Sequence, residues 1–226
     1  MIGVFTYDAI HRKTYDVLCL LKVRGYSKVA VFAESFHYQK KFKPLIEHRP
    51  AAGNIPTVEI ICRNLNFDFY KGFSEDRLQP GRKILICGSR LIDRSFIQNY
   101  TIINAHPGYL PIVRGLDALK WAIYEGNPIG VTSHVLGDDV DAGLLIDRKL
   151  VPIWRNDTFH AVAQRQYDME VEMLVDAIEK AETSTTVLTD EAPLHRRMPH
   201  AFETHLLARF QALADQAPLD ARCYDD

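Results

Sequence analysis

Residues 101–143 read TIINAHPGYLPIVRGLDALKWAIYEGNPIGVTSHVLGDDVDAG, and the rest of the chain is read outward from them. The run opens with the β-branched Thr101, Ile102 and Ile103, which predicts a strand over 101–105 that delivers Asn104 and His106 at its carboxyl end. Asn is unfavourable inside a β-branched strand, so its presence there points to a task other than strand pairing. Pro107 and Gly108 break the run. A helix is expected over 116–125 after the Arg114-Gly115 turn, and 130–136 with 144–152 reads as a pair of strands. In open α/β sheets ligands collect outside the carboxyl ends of the strands, where Asn104 and His106 fall.

Upstream, residues 2–6 read as a buried strand, 10–24 as a helix and 28–33 as a second apolar strand, with Gly25 placed to end the helix. Strand, helix, strand in this order reads as a right-handed crossover in a parallel sheet. Between 35 and 81 the pattern is poorer; it predicts a helix over 39–47, a short strand over 57–61 and a helix after Asn64. A strong strand follows over 83–87, then a short helix from Asp93. Downstream, Asn156 or Asp157 is expected to cap a long helix reaching Lys180, whose face of Phe159, Val162, Ala163, Met173, Leu174, Ala177 and Ile178 marks it as a core helix rather than part of a site. Residues 182–198 are polar and Thr-rich, and a last amphipathic helix is expected over 201–213. The expected fold class is α/β, a Rossmann-like open, mostly parallel sheet with helices on both faces. It forms a catalytic domain over 1–181, with a short C-terminal helical appendage over 182–226 packed on it.

Composition narrows the function. A formal net charge of -2 argues against a general nucleic-acid binder, which needs a large basic face. No run of eighteen apolar residues occurs, so no membrane span is expected, and no signal-peptide pattern opens the chain. Cys19, Cys62, Cys87 and Cys223 lack CxxC spacing. The histidines His11, His37, His48, His160, His200 and His205 lack ligand spacing, so no metal is expected. Cys19, Cys62 and Cys87 read as small buried hydrophobes of a reducing compartment, and a cytoplasmic location follows as the expectation.

Asn104, His106 and Asp141 supply an amide, an imidazole and a carboxylate. Acyl-type transfer to an amine can use such a set: the amide donates to a developing oxyanion, the imidazole handles the proton, and the carboxylate orients and charges the imidazole. These residues sit in four motifs that follow in order: Asn104-x-His106-Pro107, Leu110-Pro111 before Arg114-Gly115, Gly130-Val131-Thr132-x-His134, and Asp141-x-Gly143. On these motifs the stretch resembles the folate-dependent formyltransferases, the family containing glycinamide ribonucleotide transformylase, the catalytic domain of methionyl-tRNA formyltransferase and the nucleotide-sugar N-formyltransferases. More loosely, the resemblance runs from the first strand to Ala181. It implies the formyltransferase fold, an enzyme that transfers a one-carbon unit from N10-formyltetrahydrofolate, and Asn104, His106 and Asp141 as its catalytic residues. It also implies that Arg90, Leu91 and Ile92 hold the pteridine ring, with Asp138 and Val140 as the opposite wall. His134, although part of the pattern, reads as an internal hydrogen-bonding residue.

Two departures from the family bear on the acceptor. Glycinamide ribonucleotide transformylases carry a glycine- and serine-rich turn after the first strand that binds the substrate phosphate. Here that place is taken by Tyr7-Asp8-Ala9-Ile10-His11-Arg12-Lys13, without glycine. The separate carboxyl-terminal domain of methionyl-tRNA formyltransferases has no counterpart in this sequence. In layout the sequence is similar to the sugar N-formyltransferases, which implies formyl transfer to a nucleotide-linked amino sugar for a cell-surface polysaccharide such as lipopolysaccharide. Glycinamide ribonucleotide transformylase is the alternative, and a non-catalytic folate or nucleotide-sugar binding protein the second. Arg114, Arg196 and Arg197 are the cations expected to meet the acceptor's diphosphate. Small molecules are thus the expected partners, without nucleic acid or membrane; a homodimer is compatible with the sequence, which does not specify the oligomeric state.

Overall fold

The computed structural model describes residues 1–35, 42–88, 94–137, 143–189 and 192–219. β1 (Ile2–Tyr7), α1 (Arg12–Val23) and β2 (Val29–Glu34) form the expected crossover, with Val4 of β1 opposite Val31 of the parallel β2. α2 (Val58–Leu65), β3 (Asp68–Lys71), β4 (Lys83–Ile86), α3 (Arg94–Asn99) and β5 (Thr101–His106) follow. Then come β6 (Arg114–Gly115), α4 (Ala118–Glu125), β7 (Gly130–Leu136), β8 (Gly143–Leu150) and the long α5 (Phe159–Lys180). The chain continues through β9 (Thr186–Leu188), β10 (Leu194–His195), α6 (His200–Glu203) and α7 (Leu206–Asp215). The main sheet runs β3-β2-β1-β4-β5-β7-β8-β9; β3 to β5 are parallel, and β7, β8 and β9 are joined antiparallel. Among the described residues no helix is long and apolar enough to cross a membrane.

Because the central strands are covered on both faces, they are apolar nearly throughout. Val4, Val31, Leu85, Ile103 and Ala105 pack on one face with residues of α1, α2 and α5. On the other, Phe32, Ile84, Ile86 and Ile102 pack with Phe5, Phe73, Phe96 and Tyr100. Side chains alternate along a strand, so Asn104 and His106 continue the row begun by Ile102 on this second face.

Several elements differ from their expectation. The segment expected as a strand over 57–61 is α2: Val58, Ile61, Cys62 and Leu65 keep helical spacing, and the Thr57 side chain accepts the Ile60 amide as an N-cap. That helix ends where a helix was expected to begin, at the left-handed Asn66, and the chain then enters β3. Residues 42–47 contain no helix, and the start of the helix expected over 39–47 lies outside the described residues. α5 is capped by Thr158 rather than Asn156 or Asp157, because the Asp157 carboxylate is engaged by Arg165 and the Trp154 amide. Of the cysteines, Cys62 and Cys87 are buried and Cys19 is partly exposed, while Cys223 lies outside the described residues.

The segment after α5 is more than helical. β9 extends the main sheet at its β8 edge, β10 pairs with β6, and α7 packs on α4. Lys120 of α4 and Glu203 of α6, both fully buried, form an ion pair. The other Glu203 oxygen accepts the Leu45 amide at 2.7 Å, and the His200 ring donates through Nε2 to the Lys43 carbonyl at 2.9 Å. Residues 43–49 are thereby tied to the carboxyl-terminal segment.

Candidate active site

In the antiparallel β5–β7 ladder, Asn104 stands opposite His134 and His106 opposite Thr132. Residues directly opposite share a face, so four polar side chains form one patch at the carboxyl end of β5. Asn104 Nδ2 lies 3.3 Å from Nε2 of His134, which is fully buried. The amide donates and the imidazole nitrogen accepts, which fixes the amide plane; the amide's second N–H is the donor an oxyanion would take. His134 is thus an internal hydrogen-bonding residue, as expected. His106 Nε2 lies 3.1 Å from the Val113 carbonyl, which can only accept, so Nε2 carries the hydrogen. The Thr132 hydroxyl donates to the Gly108 carbonyl at 2.8 Å and accepts the Leu110 amide at 3.0 Å, pinning the turn beneath the imidazole. A Cβ on Gly108 would sit 2.5 Å from His106 Nε2 and 2.6 Å from the Val113 carbonyl, so this close approach admits only glycine.

His106 and Pro107 line a cleft of about 500 Å³, together with His48, Arg49, residues 115–119, Gln166 and residues 194–197. Gln166 of α5 is buried and donates to the Pro107 and Gly130 carbonyls, each at 3.1 Å, joining the end of β5 to the start of β7. One turn on, the buried Glu170 pairs with Lys13 at 2.7 Å and with the Arg49 guanidinium. The helix expected to be core alone therefore also carries polar groups to the site. Burial alone would raise the Glu170 carboxyl, yet Arg49 and Lys13 outweigh it and hold the group at about 2. His11 is pushed down to about 4 by burial, then by Lys13 and Arg49. His48 is pushed down to about 3 by burial, then by Arg49, Lys120 and Arg197.

These groups make the fold acid-sensitive. Unfolded, the two histidines take up protons near 6.5, but the fold resists until about 4 and 3, so the unfolded chain binds more protons in that window and stability falls from pH 6.5 downward. Glu170 contributes stability above 4.5, lost as the pH falls toward about 2. Urea midpoints should therefore decline steadily from about pH 7.5 to about pH 3. A midpoint flat across this range would show that the histidines are not held neutral.

Arg114 is buried and turned inward, its Nη1 donating to the Ala192 carbonyl at 3.1 Å. It ties down the segment that carries the other expected cations. Leu194 pairs with Arg114 and His195 with Gly115 in the β6–β10 ladder, and Gly115 has φ 89° with the His195 carbonyl oxygen 2.2 Å from where a Cβ would stand. His195 stacks on Trp121 at 4.8 Å between ring centroids, and Trp121 Nε1 donates to the Arg196 carbonyl at 2.8 Å. Arg196 and Arg197 so reach the cleft lining, with Arg197 3.8 Å from Asp117. Arg90, Leu91, Ile92, Asp138, Val140 and Asp141 lie outside the described residues. The segments that contain them leave from Gly88 after β4 and Gly137 after β7, and these strands flank β5 on either side.

The family model described as formyl transferase matches residues 75–178. Phosphoribosylglycinamide formyltransferase of Bacillus subtilis (strain 168) is 30% identical over 149 residues, 64% of this chain and 69% of that protein. The trifunctional purine biosynthetic protein adenosine-3 of Chironomus tentans is 34% identical over 126 residues, 52% of this chain, and the match spans only 9% of that protein's length. Among solved structures, the N-formyltransferase from Helicobacter canadensis in complex with folinic acid and dTDP-3-aminofucose aligns with a TM-score of 0.64 at 15% identity, covering 98% of this chain and 84% of that one. At that identity the likeness shows the fold, which is the Rossmann-like formyltransferase architecture expected from the motifs.

Proposed function

This chain belongs to the formyl transferase family, and from that premise we propose that it transfers a formyl group from N10-formyltetrahydrofolate to the amino group of a nucleotide-linked amino sugar. The observation that carries the acceptor is the cationic lining of the cleft next to His106, to which Arg49, Arg196 and Arg197 all contribute. The turn after β1 supports the same reading. The Asp8 amide donates to the Glu34 carbonyl and the Ala9 amide to the Tyr7 carbonyl, so neither is left for the phosphate of glycinamide ribonucleotide. The Asp8 carboxylate, 3.4 Å from Lys71, adds a charge of the wrong sign there.

In this reading the acceptor nitrogen attacks the formyl carbon directly. Asn104 donates to the oxyanion and His106 takes the amine proton. The bond from carbon to N10 then breaks, and a proton on N10 completes tetrahydrofolate. Burial pushes the Cys62 and Cys87 thiols up to about 12, which removes them as nucleophiles for an acyl-enzyme. Arg90, Leu91, Ile92, Asp138 and Val140 are assigned to the folate, and Asp141 to orienting His106. The product would serve cell-surface polysaccharide assembly from the cytoplasm.

The identity to the Bacillus subtilis protein favours glycinamide ribonucleotide as a second reading. Mass spectrometry of nucleotide amino sugars and glycinamide ribonucleotide, each incubated with protein and formyl-tetrahydrofolate, separates the two. Efficient formylation of glycinamide ribonucleotide would refute the sugar assignment. Arg196→Ala or Arg197→Ala should raise the acceptor KM roughly ten- to a hundredfold with little change in kcat, the loss of one charge-assisted contact made equally in ground and transition states. Unchanged kinetics in both variants would remove this pair from the acceptor site.

A further inference from the structure

We infer that Arg49, held in place by the buried carboxylate of Glu170, is the principal anion-binding residue of the cleft and takes the diphosphate of the acceptor. The diphosphate rests on the nucleotide-sugar reading; the anion site rests on geometry alone. Glu170 meets Arg49 fork to fork, Nη1 with Oε2 and Nη2 with Oε1 at 3.1 Å. The Glu170 side chain is 1% exposed and that of Arg49 41% exposed, so the guanidinium is anchored from beneath while remaining open to the cleft it lines. Of its five N–H donors the carboxylate engages two, and the others have no protein acceptor among the described residues. A planar cation fixed on one edge and open on the others is a preorganised receptor for phosphate oxygens.

Charge points the same way. Glu170 also serves Lys13 at 2.7 Å, so one carboxylate faces two cations. Among the described residues, the cleft lining holds the guanidinium groups of Arg49, Arg196 and Arg197 against the carboxylate of Asp117, while Lys13 and Glu170 pair behind it. Lys120 and Glu203 neutralise each other. The excess of two positive charges matches a doubly charged diphosphate diester, and three guanidinium groups along one cleft offer more donors than a single phosphate needs. Burial is the largest cause of the lowered titration of His11 and His48, and the charge of Arg49 adds to both. Arg49 is not needed merely to fasten its loop, because Glu203 and His200 already hold Leu45 and Lys43.

Glu170 is a positioning residue in this account, and its effect passes through Arg49. Calorimetric titration of the full chain with inorganic pyrophosphate and with orthophosphate provides the test. Pyrophosphate should bind the wild type in preference to orthophosphate, and Arg49→Ala should weaken it at least roughly tenfold. Glu170→Gln should weaken it less, and the double variant should equal Arg49→Ala, because without the guanidinium there is nothing left to position. With the sugar acceptor, Arg49→Ala and Glu170→Gln should raise KM and leave kcat within about threefold, a split that a general loss of stability would not produce. Arg49 is half exposed, so its variant keeps the test decisive should Glu170→Gln not fold. Equal pyrophosphate binding by wild type and Arg49→Ala overturns the anion site, and equal affinity for orthophosphate overturns the diphosphate assignment. Arg49-dependent pyrophosphate binding without formylation of any sugar nucleotide sustains the anion site and refutes the acceptor reading.

Discussion

Asn104→Ala should cut formyl transfer by a hundredfold or more, roughly the loss seen when one oxyanion donor is removed, and His106→Ala should leave still less. Both residues lie on one face of β5 and are positioned by the facing strand and the turn after β5, so neither change removes a main-chain contact of the sheet. Folate binding, measured by fluorescence quenching, should survive in Asn104→Ala, because the amide is assigned to the transition state rather than to the ground-state complex. The physical reason for a large effect is preorganisation. The Asn104 amide is already oriented by His134, and the His106 proton position is already set by Val113, so no reorientation accompanies the build-up of charge. Turnover within tenfold of wild type in either variant would place the chemistry elsewhere.

Lys120→Ala should destabilise the protein by about 3–5 kcal/mol, the usual consequence of leaving one member of a buried ion pair without its partner. Lys120 and Glu203 are both inaccessible to solvent, so neither charge can be rescued by water in place. The effect should reach the cleft, because the same Glu203 carboxylate accepts the Leu45 amide of the segment leading to His48 and Arg49. The double variant Lys120→Met, Glu203→Leu should recover much of the loss, short of about 1–3 kcal/mol for the Leu45 amide left without an acceptor. Urea denaturation of the single and double variants measures both steps. A loss below about 1 kcal/mol in Lys120→Ala would show that the pair is hydrated in solution.

What could be read from residues alone was set by local periodicity. The β1-α1-β2 crossover and β5 with Asn104 and His106 on one face follow from spacings of two and three to four residues, which the backbone imposes wherever a strand or helix forms. The same rule misled over 57–61, where Thr57, Val58, Ile60 and Ile61 are β-branched but a threonine cap and the spacing of Val58, Ile61, Cys62 and Leu65 decide for helix. In α5 the same spacing carries a second signal. Gln166 and Glu170 fall on the helical face between Ala163 and Leu174, a polar interruption of an apolar stripe that implies partners to satisfy it.

Which partners those are no local pattern could say. Glu170 meets Arg49 across 121 positions of sequence, Lys120 meets Glu203 across 83, and Arg114 reaches the Ala192 carbonyl across 78. Such pairings are chosen by the packing of helices and loops around the sheet, because a buried charge must end beside whichever opposite charge the fold brings within reach. The sequence by itself determined the fold class, the strand that carries the amide and the imidazole, and the class of chemistry they suit. The tertiary structure alone decided that Arg114 turns inward and that Arg49, Arg196 and Arg197 share one cleft beside His106. The reason is that a cation's neighbours depend on contacts between segments far apart in the chain, whereas a strand's two faces depend only on its own backbone.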